Sequence, residues 1–176
     1  MLLSLARWAE NTEFFAYLRS SSYAYPAILS LHMVAIALFG GMIVMTDLRL
    51  LGWAMRSRTV ADVVDQLRVP KRIGFVIAAT CGILLLGSKA EEYYYNVLFR
   101  TKILLFVMVA LHALVFRNSV YNRAAELDRA PRMPARAKLA ACLSLLLWVS
   151  IFSVGRGIGF IPAPPGIHYT AGLFAP

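Results

Sequence analysis

The sequence predicts an all-α, four-helix transmembrane bundle with an N-terminal interfacial amphipathic helix. Of the 176 residues, 60% are hydrophobic and only 15% are charged, whereas a water-soluble domain carries about a quarter charged residues. Four apolar stretches approach the length of about 20 residues that a helix needs to cross a bilayer. Most basic residues lie in two of the connections between these stretches, which is typical of multi-pass membrane proteins. One domain accounts for the whole chain.

The first predicted element, residues 2–19, is a helix that lies in the membrane interface rather than across the membrane. It is too short and too polar to span, and Asn11 and Thr12 are positioned to break or recap it. Its apolar residues are spaced for one helical face: Leu2, Leu5, Trp8, Phe15 and Leu18.

The four predicted spans are 25–47, 70–89, 98–117 and 138–161. The second and third have short apolar cores and reach full length through flanking Arg, Lys and Tyr, which can snorkel or lie at the headgroups. In the first connection, Thr59 to Val69 form a short amphipathic stretch that Pro70 is expected to end. The Pro-rich residues 162–176 are expected to form an external tail rather than a helix.

The net charge of +9 is predicted to be a topology signal. Twelve of the eighteen Lys and Arg lie in two connections, which the positive-inside rule assigns to the cytoplasm, so both termini lie outside. The predicted partners are therefore membrane lipids, and nucleic acid is not among them. Counted between the strictly apolar cores of the spans, the first of these connections holds Arg49, Arg56, Arg58, Arg68, Lys71 and Arg72, and the other holds Arg117, Arg123, Arg129, Arg132, Arg136 and Lys138.

Ionisable side chains inside predicted spans are costly and indicate function. A rise of 1.5 Å per residue places His32 about 6 Å, and Lys102 and Arg156 about 10 Å, to the outer side of the midplane. His112 comes out about 6 Å to the inner side. Asp47, at the end of the first span, is expected to pair with a nearby Arg and fix the loop.

One imidazole below two cations suits a haem b whose iron binds His32 and whose propionates face Lys102 and Arg156. Four-helix bundles commonly hold such cofactors between helices. In the second span, Gly74, Ala78 and Gly82 form a small-residue stripe that permits close helix packing or leaves room for a macrocycle.

The candidate second metal ligand is His112, but the depth estimate separates the two imidazoles by about 12 Å. Three arrangements stay open. Both histidines bind one iron, or His32 binds it alone with a free sixth position, or His112 serves a second cofactor. A lone intramembrane histidine also often bonds one helix to another.

Two resemblances add to this interpretation. The stretch from Leu31 to Gly52 and the stretch from Gly155 to Phe160 resemble a family of four-helix bacterial inner-membrane proteins of uncharacterised function. The order of His32, Arg72, Lys102 and His112 is more loosely similar to HemJ-type protoporphyrinogen oxidases and CopD-like membrane proteins. In the HemJ group the first-helix histidine is implicated in haem binding and the third-helix lysine in function, which corresponds to His32 and Lys102.

We therefore expect a b-type haem protein of the bacterial inner membrane with periplasmic termini, which transfers electrons or serves as a redox subunit. The first alternative is a cofactor-free subunit that anchors or assembles a larger complex. A HemJ-like porphyrinogen oxidase is a further alternative, so the sequence leaves enzymatic activity open. The expected protein partners are a redox partner or a larger membrane complex, and small-residue stripes are compatible with a homodimer.

Overall fold

The computed structural model describes residues 1–130 and 132–160, and within these residues the chain contains helices and no strand. The predicted tail 162–176 lies outside the described residues. Two 3₁₀ helices, Tyr121–Arg123 and Ile158–Phe160, accompany the α-helices. The α-helices are α1 Leu2–Glu10, α2 Glu13–Ser20, α3 Ala24–Leu51, α4 Val60–Ser88, α5 Ala90–Tyr95, α6 Val97–Arg117, α7 Ala124–Arg129 and α8 Ala135–Gly157.

Four of these helices, α3, α4, α6 and α8, are long and apolar enough to cross a membrane. The 28 residues of α3 have a length of about 42 Å, more than the roughly 30 Å of a bilayer's hydrocarbon core. The all-α fold class is confirmed, and the protein is a multi-pass membrane protein. We call the side where α3 begins the terminal side, and the side where α3 ends the basic side.

The N-terminal segment forms two helices rather than one continuous helix over residues 2–19. The chain breaks at the predicted place: Asn11 Nδ2 donates to the Arg7 carbonyl and Thr12 Oγ1 donates to the Ala9 carbonyl, both at 2.8 Å. These bonds give the backbone an alternative to helix continuation, as Asn and Thr commonly do. In α1, Leu2, Leu5 and Trp8 are exposed.

The pair α1 and α2 docks on the terminal side of the bundle. Arg19 Nη1 donates to the Ser88 carbonyl at 3.2 Å and pairs with Glu10 Oε1 at 2.9 Å. Glu10 Oε2 in turn accepts the backbone N–H of Glu91 at 2.8 Å. The Phe15 ring packs directly against the Cα of Gly87, where no side chain would fit.

Pro70 does not end a helix, and that expectation is wrong. A single helix α4 runs from Val60 to Ser88 with Pro70 inside it. An interior proline costs about 3 kcal/mol, and packing on α3 offsets this cost on the membrane side of Pro70. One turn after the proline, a Cβ added to Gly74 would be 3.3 Å from Phe39 Cβ.

The four spanning helices are arranged as an arc in the order α4, α3, α8, α6. Phe39 of α3 lies between Phe75 of α4 and Trp148 of α8, with ring centroids 5.7 and 5.3 Å apart respectively. Helix α8 then packs against α6, where the His112 ring bonds to the Ala140 carbonyl. Helices α4 and α6, at the ends of the arc, do not pack extensively along their described residues. Helices α4 and α6 are therefore the two ends of the arc.

The best-packed core lies on the basic side. Asp128 of α7 caps α4 there, because its Oδ1 and Oδ2 accept the N–H groups of Val60 and Ala61 at 2.7 and 2.9 Å. Connecting and spanning helices thus share one core at this side. Its buried residues are Leu50, Val60, Val64, Phe116, Val120, Ala124, Leu127, Ala137, Ala140 and Ala141.

Candidate functional site

His32 lies on the terminal half of α3, with its ring turned toward α4. A Cβ added to Gly82 would be 3.1 Å from His32 Cε1 and 3.8 Å from Nδ1, so the imidazole packs on bare helix backbone. His32 Nδ1 is buried and has no hydrogen-bond partner among the described residues. A buried nitrogen without a partner is uncommon in proteins and calls for an explanation.

The small-residue stripe of α4 is used for close helix packing. Gly74 meets Phe39 and Met42, and Gly82 meets His32, so the stripe faces α3 along the length of the seam. Of the two roles that the sequence left open, the contacts favour helix packing. The stripe does, however, provide the position at which His32 can lie against α4.

Lys102 lies one turn into α6 and reaches toward α8. Its Nζ is 3.6 Å from the position of a Cβ on Gly155, and 5.8 Å from the centre of the Phe106 ring. Among the described residues, no carboxylate forms an ion pair with Lys102. An ammonium group held among apolar groups within a span can bind an anionic ligand group.

His32 and Lys102 both lie on the terminal side, on different helices. His32 packs in the seam with α4 and Lys102 against α8, and the Lys102 ammonium is within electrostatic range of the His32 ring. Each side chain packs against a glycine of a neighbouring helix, Gly82 and Gly155 respectively. The two glycines leave room for these long or flat polar side chains between closely packed helices.

His112 lies in the basic half of α6, apart from this pair. Its Nε2 forms a hydrogen bond of 2.9 Å with the Ala140 carbonyl of α8. Its ring is 4.9 Å from that of Phe116 and 6.5 Å from that of Tyr121. His112 therefore links α6 to α8, and as a metal ligand it would bind through Nδ1 or give up this bond.

The two arginines singled out in the sequence lie on exposed faces. Arg156 is exposed near the end of α8, with its guanidinium 5.0 Å from the centre of the Phe160 ring. Arg72 is exposed on α4 beside Ile73, Val76 and Ile77. The contacts of Arg156 and Arg72 therefore do not include His32 or Lys102.

Asp47 is buried near the basic-side end of α3. Its expected pairing with a nearby Arg is wrong: both carboxylate oxygens are buried without a donor in the described part of the chain. The neighbouring Arg49 instead donates to the Arg58 carbonyl at 2.6 Å and lies 4.0 Å from Asp128. An acidic residue at the end of a predicted span was the only available signal, and many such residues are exposed.

The metal-ligating side chains of the described residues are scattered. Within residues 1–130 and 132–160, no three His, Cys, Asp or Glu side chains come together. One imidazole suffices for a haem, whose porphyrin occupies four iron positions. Cys81 is buried in α4 and Cys142 is exposed on α8, and both are free thiols.

A separate cleft of about 370 Å³ opens on the basic side. Its walls include the cations Arg49, Arg132 and Lys138, together with Asp128. Such a group of cations at the membrane surface suits the phosphate of a lipid headgroup.

The sequence model of one protein family, "Family of unknown function (DUF6644)", matches residues 5–161. The match includes all four spanning helices and both His32 and Lys102. No curated protein and no solved structure matches the chain.

Proposed function

We propose that this chain, a member of the family of unknown function DUF6644, is a b-type haem-binding membrane protein that transfers electrons or serves as a redox subunit. One observation carries the proposal: the half-buried imidazole of His32 has a buried nitrogen without a partner, on the same side of the membrane as a lysine that no described carboxylate neutralises. Imidazole is a common ligand of haem iron, and a lysine can pair with a propionate.

The residues on the terminal side fit such a group in three respects. His32 offers an unbonded nitrogen, Gly82 keeps α4 from crowding the ring, and Lys102 offers a positive charge at the same side. When bound, a haem supplies a metal centre that accepts and releases one electron.

His32 is assigned here as the protein ligand, and His112 as a hydrogen-bond partner of α8. The bond from His112 Nε2 to the Ala140 carbonyl supports this division. A haem held by both histidines would favour electron transfer, whereas a haem held by His32 alone would be able to bind a small ligand. Arg156 and Lys102 were both expected at the propionates, and the contacts favour Lys102.

Two matched substitutions test the assignment. Full-length wild type, His32→Ala and His112→Ala are purified in detergent, and haem per chain is measured by the pyridine haemochrome assay. We expect His32→Ala to lose haem and His112→Ala to retain it. Retention of haem by His32→Ala contradicts the proposal. A change from a low-spin to a high-spin spectrum in His112→Ala would show that both histidines bind the iron in the wild type.

A second candidate function is a cofactor-free subunit that anchors or assembles a larger complex. The exposed apolar residues of α1, including Leu2 at 72% and Trp8 at 68%, favour this role as much as membrane contact. Under it, His32→Ala perturbs only packing, and the protein co-purifies with a defined partner. The third candidate, a HemJ-like porphyrinogen oxidase, would use His32 and Lys102 and would give measurable oxidation of protoporphyrinogen.

The proposed location is the bacterial inner membrane with both termini in the periplasm. The basic loops and the cleft with Arg49, Arg132 and Lys138 then face the cytoplasm, where anionic lipids attract such residues. A homodimer joined through exposed apolar helix faces is compatible with this topology. A redox partner would approach from either surface.

A further inference from the structure

The carboxyl group of Asp47 belongs to a second polar site, separate from His32. Asp47 is only 1% exposed, and neither carboxylate oxygen accepts a hydrogen bond of good geometry from a described residue, although the Ser144 hydroxyl lies beside the group. Asp47 follows His32 by 15 residues along α3, which corresponds to about 22 Å at 1.5 Å per residue. The two sites therefore lie at opposite sides of the membrane.

Polar side chains from three other elements surround Asp47. Lys71 of α4 and Ser144 of α8 are close enough to act on the carboxyl group, and so is Tyr121 of the 3₁₀ helix after α6. Ser144 is itself 5% exposed. Helices that are otherwise apolar thus place four polar groups at one point on the basic side.

The nearby cation does not neutralise Asp47 through an ion pair. Lys71 Nζ donates to the hydroxyl of Thr46 at 3.2 Å, while the carboxylate next to Thr46 in sequence has no donor. An ionised carboxylate buried in this way costs several kcal/mol unless it is paired and hydrogen-bonded. Binding a proton removes most of that cost.

We propose that Asp47 is a proton-exchange site that takes up and returns a proton on the basic side of the membrane. A hydronium ion gives its proton to a carboxylate oxygen of Asp47, so an O–H bond forms on the carboxyl group and a water molecule is released. No electron moves in this step. Intramembrane acids of this kind are characteristic of proton relays.

The surroundings supply a short route to water. Asp47 lies four residues before Leu51, the last residue of α3, and Tyr121 and Lys71 are both partly exposed. A hydroxyl and an ammonium group are both proton donors. They can relay a proton between Asp47 and the water at the basic surface.

The charged and titratable groups around Asp47 are few. From α4, Lys71 faces it, and Arg68 acts on Lys71. Tyr121 faces it from the 3₁₀ helix, and His112 of α6 lies beside Tyr121 with its ring centroid 6.5 Å away. Ser144 of α8 also faces it, but a serine hydroxyl does not titrate near neutral pH. Arg49, on the helix of Asp47 itself, is directed to Arg58 and Asp128.

Infrared spectroscopy of the full-length protein in lipid vesicles tests the proposal and needs no haem. At neutral pH we expect a carbonyl stretch of one carboxylic acid per chain that is missing in Asp47→Asn and retained in the control Asp65→Asn. Asp65 is exposed and pairs with Arg68 on the same helix as Lys71. Raising the pH should bleach the band reversibly as carboxylate bands grow.

Two results overturn the proposal. In the first, the wild type and Asp47→Asn give the same spectrum across the pH range, which would make Asp47 a permanently ionised structural group. In the second, the carboxylic acid band is present but does not respond to pH. If Asp47→Asn does not fold, Ser144→Ala and Tyr121→Phe replace it, since both side chains lie beside the carboxyl group. A band that neither substitution shifts does not come from Asp47 and also overturns the proposal.

Discussion

Gly82 of α4 lies directly opposite the imidazole of His32, and a methyl group on Gly82 would be 3.1 Å from His32 Cε1. This distance is shorter than ordinary van der Waals contact between carbon atoms. The position of the ring in the α3–α4 seam therefore depends on glycine at 82. The haem proposal depends on the same contact, since it needs this ring to hold a defined orientation.

Gly82→Ala should weaken haem binding without unfolding the bundle. Overpacking of this kind costs about 1–3 kcal/mol, or roughly 5- to 140-fold in the dissociation constant of haem, measured by titration of the apoprotein. Gly41→Ala is the control, because no atom lies within 4 Å of the added methyl group. Equal haem affinity in the two variants would contradict a role of Gly82 in haem binding.

Lys102→Gln should weaken haem binding and lower the midpoint potential. Removing one positive charge near the iron disfavours the reduced state, and a lost bond to a charged group costs about 1.5–3 kcal/mol, or roughly 10- to 140-fold in affinity. Redox titration of the haem-loaded protein measures the potential. The control is Lys89→Gln, which removes a lysine paired with Glu92 on the same side. The assignment of Lys102 fails if both variants behave alike.

Asp128→Ala should destabilise the protein by about 1 kcal/mol, within a range of 0.5–2, because α4 loses a cap at its first residues. Asp65→Ala serves as the control, since Asp65 and Arg68 form an exposed pair and such pairs contribute little. Chemical unfolding in detergent micelles gives both values. If Asp128→Ala lowers the free energy of unfolding no more than Asp65→Ala does, the cap does not stabilise α4.

The proposed topology predicts opposite labelling of cysteines introduced at two serine positions. Ser22 lies in the turn before α3 and Ser57 in the connection before α4, and both are exposed. With Cys81 and Cys142 replaced by serine, a membrane-impermeant maleimide added to intact cells should label Ser22→Cys and spare Ser57→Cys. The reverse pattern would place the basic side outside.

The four spanning helices and the break at Asn11 and Thr12 could be predicted from the sequence, because hydropathy and local side-chain bonding depend on neighbouring residues. The continuation of α4 through Pro70 could not, because the compensating contact of Gly74 with Phe39 joins two helices. The cap of α4 by Asp128 could likewise not be predicted from local sequence patterns, since 68 residues separate Asp128 from Val60.

The candidate site was only partly predictable for the same reason. Counting residues along helices placed His32 and Lys102 on one side of the membrane, and α3 and α6 carry both residues on the terminal side. Depth alone does not specify which helix face a side chain occupies. It therefore could not show that Arg156 is exposed, that His112 bonds to Ala140, or that Asp47 is buried without a donor.

The central claim, haem binding at His32, is tested most directly by the reduced-minus-oxidised visible spectrum of the detergent-purified wild-type protein. We predict b-type haem bands, with sharp low-spin bands if a second strong ligand is present and broad high-spin bands if His32 binds alone. A preparation that is colourless and does not bind added haem would contradict the claim. The protein would then be studied through the partners that co-purify with it.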